Sequence, residues 1–173
     1  MKTTTALLIA TLAVANALPN APLESRDEPK AVGATPVAHP SCALKDKGKY
    51  IGGIDPDNLH EYWEDLKKQG QCKIKAKKCN RVTCGNTSAI YVCNDNDYDI
   101  APGCATIAEW VGDPLHRTGD GEYHLSQACG CGQYSCDHAS GELKFKEGWR
   151  IQMGYGNCKH SPDSDTGVYS ESH

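Results

Sequence analysis

Large hydrophobic side chains are scarce in this chain. Its 173 residues include one phenylalanine, three tryptophans and two methionines. After residue 17 no apolar run is long enough to cross a bilayer. Short motifs with a built-in mechanism are missing too. There is no G-x-S-x-G, no phosphate-cradling glycine loop and no solitary reactive cysteine. Two partial matches fail on chemistry. His60 and Glu61 lack the second histidine of a zinc-protease helix. Asp95, Asp97 and Asp99 imitate the opening of a calcium loop, but Ile100 stands where that loop needs glycine and Thr106 where it needs glutamate. Candidate acid/base groups (His116, His124, His138, Glu109, Glu122) sit outside any such motif. The expectation is a chain that is not an enzyme and carries no cofactor or metal.

Cysteine is what the chain has in quantity. All ten (Cys42, Cys72, Cys79, Cys84, Cys93, Cys104, Cys129, Cys131, Cys136 and Cys158) follow a short apolar stretch that reads as a secretory signal: Lys2, an apolar run from Ala6, and an A-x-A site at residues 15–17. An even count in an oxidising compartment implies five disulfides, with connectivity left open. Cys129, Cys131, Cys136 and His138 have zinc-like spacing, but in that compartment cross-links are the better account. A thin core held by loop-closing bridges suits one small domain. The expected division is a signal at 1–17, a proline-containing disordered leader or propeptide at 18–41 with Arg26 as a processing point, a stapled domain at 42–160 and a disordered tail at 161–173.

Within the domain the pattern predicts an α+β fold. Residues 88–93 (SAIYVC) are β-branched, aromatic and almost continuously apolar, as in a strand covered on both faces. A short strand is expected at residues 48–54, weakened by two glycines. Asp55 and Pro56 open a helix with Leu59, Tyr62, Trp63 and Leu66 on one face, a Glu64–Lys68 pair and a stop at Gly70. A second helix is expected across residues 101–111, with Ile107, Trp110 and Val111 inward and Gly112 ending it. Residues 115–140 read as a cross-linked loop. The last two strands have a legible register: a turn at Lys146, Glu147 and Gly148 sets Phe145 opposite Trp149 and Leu143 opposite Ile151.

Net charge is −4 at neutral pH, which argues against a general nucleic-acid binder. Yet Lys73, Lys75, Lys77, Lys78 and Arg81 crowd one segment. Lys73, Ile74, Lys75, Ala76 and Lys77 alternate like a half-exposed edge strand. Their lysines are either edge protection or a face for an anionic partner such as acidic polysaccharide or a membrane surface. Asn86, Thr87 and Ser88 form the one N-glycosylation sequon, at a turn.

Residues 81–84 (RVTC) and 89–95 (AIYVCND), a short Asp-rich turn, Cys104, a helix and a closing strand resemble the small secreted cysteine-rich, effector-like proteins of filamentous fungi. Ten cysteines, the double-cysteine loop at Cys129 and Cys131 and the strand at residues 141–145 (GELKF) give a weaker similarity to the smut-fungus killer toxin family, over roughly Cys72 to Cys158. That resemblance implies an α/β sandwich, an antiparallel sheet carrying two helices, and a bridge from Cys158 to Cys84. It would also make Lys77 or Lys78 the counterpart of a basic toxin residue on an exposed loop. A long first helix, an insertion near Gly119 and Cys93 inside the central strand depart from the toxin pattern. The expected function is a secreted, monomeric, non-catalytic effector that binds a host protein, cell-wall or membrane component, outside host cells or after uptake. The alternative is a killer-type antimicrobial or channel-blocking toxin.

Overall fold

The computed structural model describes residues 28–46, 49–50, 54–113, 124–129, 140–159, 161–164 and 167. The strands are β1 (Ser41–Cys42), β2 (Lys45–Asp46), β3 (Lys49–Tyr50), β4 (Cys79–Gly85), β5 (Ser88–Asn94), β6 (Gly141–Phe145), β7 (Trp149–Tyr155) and β8 (Asp163–Ser164). The helices are α1 (Pro56–Lys67), α2 (Cys104–Val111) and α3 (Leu125–Ala128). Six strands form one antiparallel sheet in the order β1-β6-β7-β5-β4-β8, and β2 pairs with β3. This is the disulfide-rich α+β fold expected, with a sheet carrying two main helices.

Every residue of β5 is buried, because the sheet is covered on both sides. Ile90 and Val92 face α1 and α2 together with Leu143, Ile151 and Met153. Tyr91 and Cys93 face the other way, among Cys79, Ala89, Leu44, Cys84 and Tyr155. Gly167 closes over this second face: a side chain there would meet Gln152 and Cys93. The β6–β7 hairpin has the register read from the sequence, with Phe145 opposite Trp149, Leu143 opposite Ile151 and Gly148 at φ +76. That register places Lys144 opposite Arg150, and Glu142 lies between them, 3.2 Å from Lys144 and 3.0 Å from Arg150. The like-charge pair is therefore bridged by a carboxylate.

Helix α1 is capped as expected: the Asp55 carboxylate accepts from the Asp57 and Asn58 amides, and Pro56 follows. Leu59, Trp63 and Leu66 are buried, and the Trp63 indole donates to the Ala108 carbonyl at 2.7 Å, locking α1 to α2. Three details differ. Tyr62 is 42% exposed, because its ring lies at the rim against Gly85. The ion pairs run three residues apart, Glu64 to Lys67 and Asp65 to Lys68. The helix ends before Gly70, which is not left-handed and whose carbonyl accepts from the Cys104 amide. Helix α2 begins at Cys104 rather than Ala101, with Ile107 and Val111 buried and Trp110 half-buried against Phe145.

Two expected disordered segments are ordered where described. Residues 28–40 form a strap. The Lys30 amide donates to Asp99 and its carbonyl accepts from Ala101; further on, Lys146 donates to Thr35 and Val37 to Lys144. Val32 and Ala34 pack against the core, and the Trp149 indole donates to the Gly33 carbonyl at 2.8 Å. The prolines suggested disorder, but extended chain along a sheet edge tolerates them. In the expected tail, Asp163 and Ser164 pair with Asn80 and Cys79. Of the expected strand at residues 48–54, Lys49–Tyr50 pairs with β2 and Ile54 makes an isolated bridge; residues 48 and 51–53 lie outside the described set. Within the expected loop 115–140, α3 is a single helical turn.

Candidate functional site

The basic segment is the feature to build from, and its local structure is not a strand. Ile74 makes one isolated bridge with Ile100, after which the chain turns, with Lys77 left-handed at φ +56. The alternation of side chains survives: Ile74 is 1% exposed, and Lys73 and Lys75 on either side are exposed. The bridge forms because Ile74 and Ile100 both enter the core, while the lysines cannot leave water.

The five cations separate into three roles. Arg81 is half-buried on β4, and its guanidinium donates to the carbonyls of Asn157 and Cys158, clamping the chain after β7. Lys77 donates to the Asp95 carbonyl at 2.7 Å and lies 3.1 Å from the Asp97 carboxylate, so it stabilises its own loop. Lys73, Lys75 and Lys78 surround a recess of about 200 Å³. The proposed row of Lys73, Lys75 and Lys77 is thus replaced by Lys73, Lys75 and Lys78.

Pro29, Ile74 and Cys79 supply apolar lining to the recess, and Asn80 and Asp99 also line it. Asp99 is held by the Ala76 amide at 2.8 Å. The Asn80 amide donates to the Lys73 carbonyl at 3.3 Å, leaving its Oδ1 enclosed without a hydrogen-bond partner. Beside Asp99 in the chain, Tyr98 is 39% exposed, and the Lys30 ammonium sits 4.1 Å from its ring centre. Lysines and hydrogen-bond acceptors side by side can hold an anionic group that also carries donors. Sequence reasoning missed Pro29, Asn80 and Asp99. Pro29 lies in the supposed leader, and the other two come together only through the Ile74–Ile100 bridge.

The Asp-rich turn is structural. Asp95 pairs with Arg150, and Asn94 is buried, donating to the carbonyls of Ile74, Lys75 and Tyr98. No metal-holding group of His, Cys, Asp or Glu occurs among the described residues. A pair absent from the sequence reading joins α1 to the end of α2: His60 Nδ1 lies 3.1 Å from Asp113, with the imidazole stacked on Trp63. Among the earlier acid/base candidates, Glu109 is exposed on α2 and His124 precedes α3; His116, Glu122 and His138 lie outside the described residues. Asn86 stands exposed at the β4–β5 turn with φ +54, while Ser88 of its sequon is buried against Asp55.

Among the described residues four disulfides are formed: Cys42–Cys129, Cys72–Cys104, Cys79–Cys93 and Cys84–Cys158. Cys131 and Cys136 lie outside the described residues. Cys84–Cys158 is the bridge that the toxin resemblance implied. Cys79–Cys93 links directly opposed residues of β4 and β5. No family model matches the chain, and no curated protein or solved structure matches it either.

Proposed function

We propose that the chain is a secreted, disulfide-stapled effector that acts without catalysis, by binding an anionic component of another organism's surface through the Lys73–Lys75–Lys78 recess. The observation that carries this reading is the recess itself, where three lysines meet around a concave, partly apolar floor. Several other cations make ion pairs within the fold. Arg150 is paired with Asp95 and Glu142, Lys77 with Asp97, and Lys67 and Lys68 with their own helix. The test is reversal of Lys73, Lys75 and Lys78 to Glu in the secreted protein. The variant should keep its circular dichroism spectrum and lose binding to host cells or wall preparations; undiminished binding rejects the reading.

The second reading is a killer-type toxin, which the Cys84–Cys158 bridge favours. It predicts growth inhibition of competing fungi that added calcium relieves.

A further inference from the structure

Resting on the secretory part of that reading, we infer that Asn86 carries an N-linked glycan attached before the chain folds, and that the Ser88 hydroxyl serves twice: first as the signal read by the glycosyl transferase, then as an anchor for the start of α1. An N-x-S/T acceptor is recognised through the hydroxyl of its third residue. In the folded protein that hydroxyl is out of reach. Ser88 is fully buried; its Oγ accepts from the Asp55 amide at 2.7 Å and donates to the Asp55 carbonyl at 3.3 Å. Its backbone has neighbours on both sides, Gly85 on β4 and Tyr155 on β7. The Thr87 carbonyl accepts from the Gly156 amide at 2.9 Å. Thr87 and Ser88 are thus held by partners distant in the chain, and Asn86 is the exposed residue of the three.

The product suits the fold, whereas the reaction does not. Asn86 stands at the tip of the β4–β5 turn, and asparagine tolerates its φ of +54. A sugar on its side-chain nitrogen projects into water and leaves the Asp55–Ser88 bonds intact. In the transfer, that nitrogen attacks C1 of an oligosaccharide carried on a polyprenyl diphosphate. A C1–N bond forms, the C1–O bond to the diphosphate breaks, the lipid diphosphate leaves, and one amide proton passes to a base of the transferase. The order of synthesis supplies the interval for this step. Asp55 is made before the sequon, but Tyr155, Gly156 and Cys158 are made after it. Until they arrive, β5 lacks its β7 neighbour and Cys84 lacks its disulfide partner. A two-stranded hairpin alone is marginally stable, so the Ser88 hydroxyl stays open to the transferase. Pairing with β7 and closure of Cys84–Cys158 then shut it in against Asp55.

The experiment has two arms. In the first, the full chain is translated in the presence of microsomes. An imported species carrying one glycan, removable by endoglycosidase, should appear. Asn86→Asp, which keeps a side chain tolerant of the left-handed turn, should abolish that mass shift. In the second, unglycosylated chain is offered to solubilised transferase with lipid-linked oligosaccharide. With its disulfides intact it should stay unmodified; reduced and alkylated, it should gain a glycan at Asn86. This arm uses the unsubstituted sequence, so it does not depend on any variant folding. Equal modification of the folded and the reduced chain overturns the inference, as does failure of the reduced chain to react. If the chain is imported but never glycosylated, this inference falls and the secretory reading stands; if it is not imported, both fall.

Discussion

Gly85 shows how closely α1 lies on the sheet. A methyl group there would come 2.1 Å from the Asn58 carbonyl oxygen and 2.5 Å from the Tyr62 ring. The first contact is backbone and cannot swing aside. Gly85→Ala should therefore cost about 1–3 kcal/mol, the usual range for overpacking, read as a lower denaturation midpoint at unchanged slope. Glu147 makes a second residue-scale prediction. The Thr35 amide donates to its carboxylate at 3.0 Å, and this bond is the main cause of a pKa below the ordinary glutamate value. A depressed carboxylate adds stability above its unfolded pKa and loses it as pH falls through the folded pKa. Attachment of the strap should thus weaken only under acid. The Thr35 amide resonance should titrate with a midpoint below that of a free glutamate, and Glu147→Gln should abolish the titration. Neither contact was legible in the sequence, since Gly85 and Asn58, like Thr35 and Glu147, are distant in the chain and meet only after the sheet forms.

The strap and the disulfides act at the scale of elements. Residues 32–36 alternate half-buried and exposed, with Val32, Ala34 and Pro36 inward. That period-two signal was present in the sequence but weak, because its inward residues are small or proline. Val32→Asp would set a carboxylate against the core and should destabilise the fold by roughly 1–3 kcal/mol, read as a lower denaturation midpoint. An unchanged midpoint would show the strap to be passive. Among the bridges, Cys42–Cys129 spans 87 residues and Cys79–Cys93 spans 14. Loop-closure entropy gives about 4.5 kcal/mol for the longer and about 3 for the shorter. Paired Cys→Ala replacement of the first should therefore destabilise more than that of the second. Thermal midpoints of the two double variants, compared with the parent, decide it.

For the molecule as a whole, cysteine arithmetic leaves one pair unassigned. Eight of the ten cysteines form four bridges, so Cys131 and Cys136 should be joined to each other. Non-reducing peptide mapping should find that link and no alkylatable thiol; labelling of both would count against it. Much of the fold was legible in the linear pattern: the two-sided burial of residues 88–93, the Asp55 and Pro56 helix start, and the three-residue turn that sets Phe145 against Trp149. Each rests on neighbours in sequence, where periodicity, capping and turn geometry act directly. The recess was legible only as an excess of lysine. Which lysines share it depended on one non-local bridge between Ile74 and Ile100 and on the left-handed turn at Lys77. Those features carried Lys77 to Asp97 and left Lys73, Lys75 and Lys78 around Asn80 and Asp99. Local sequence determined where strands and helices begin and turn. Tertiary packing decided which charged groups pair and which residues gather around the recess, because both depend on distance in space.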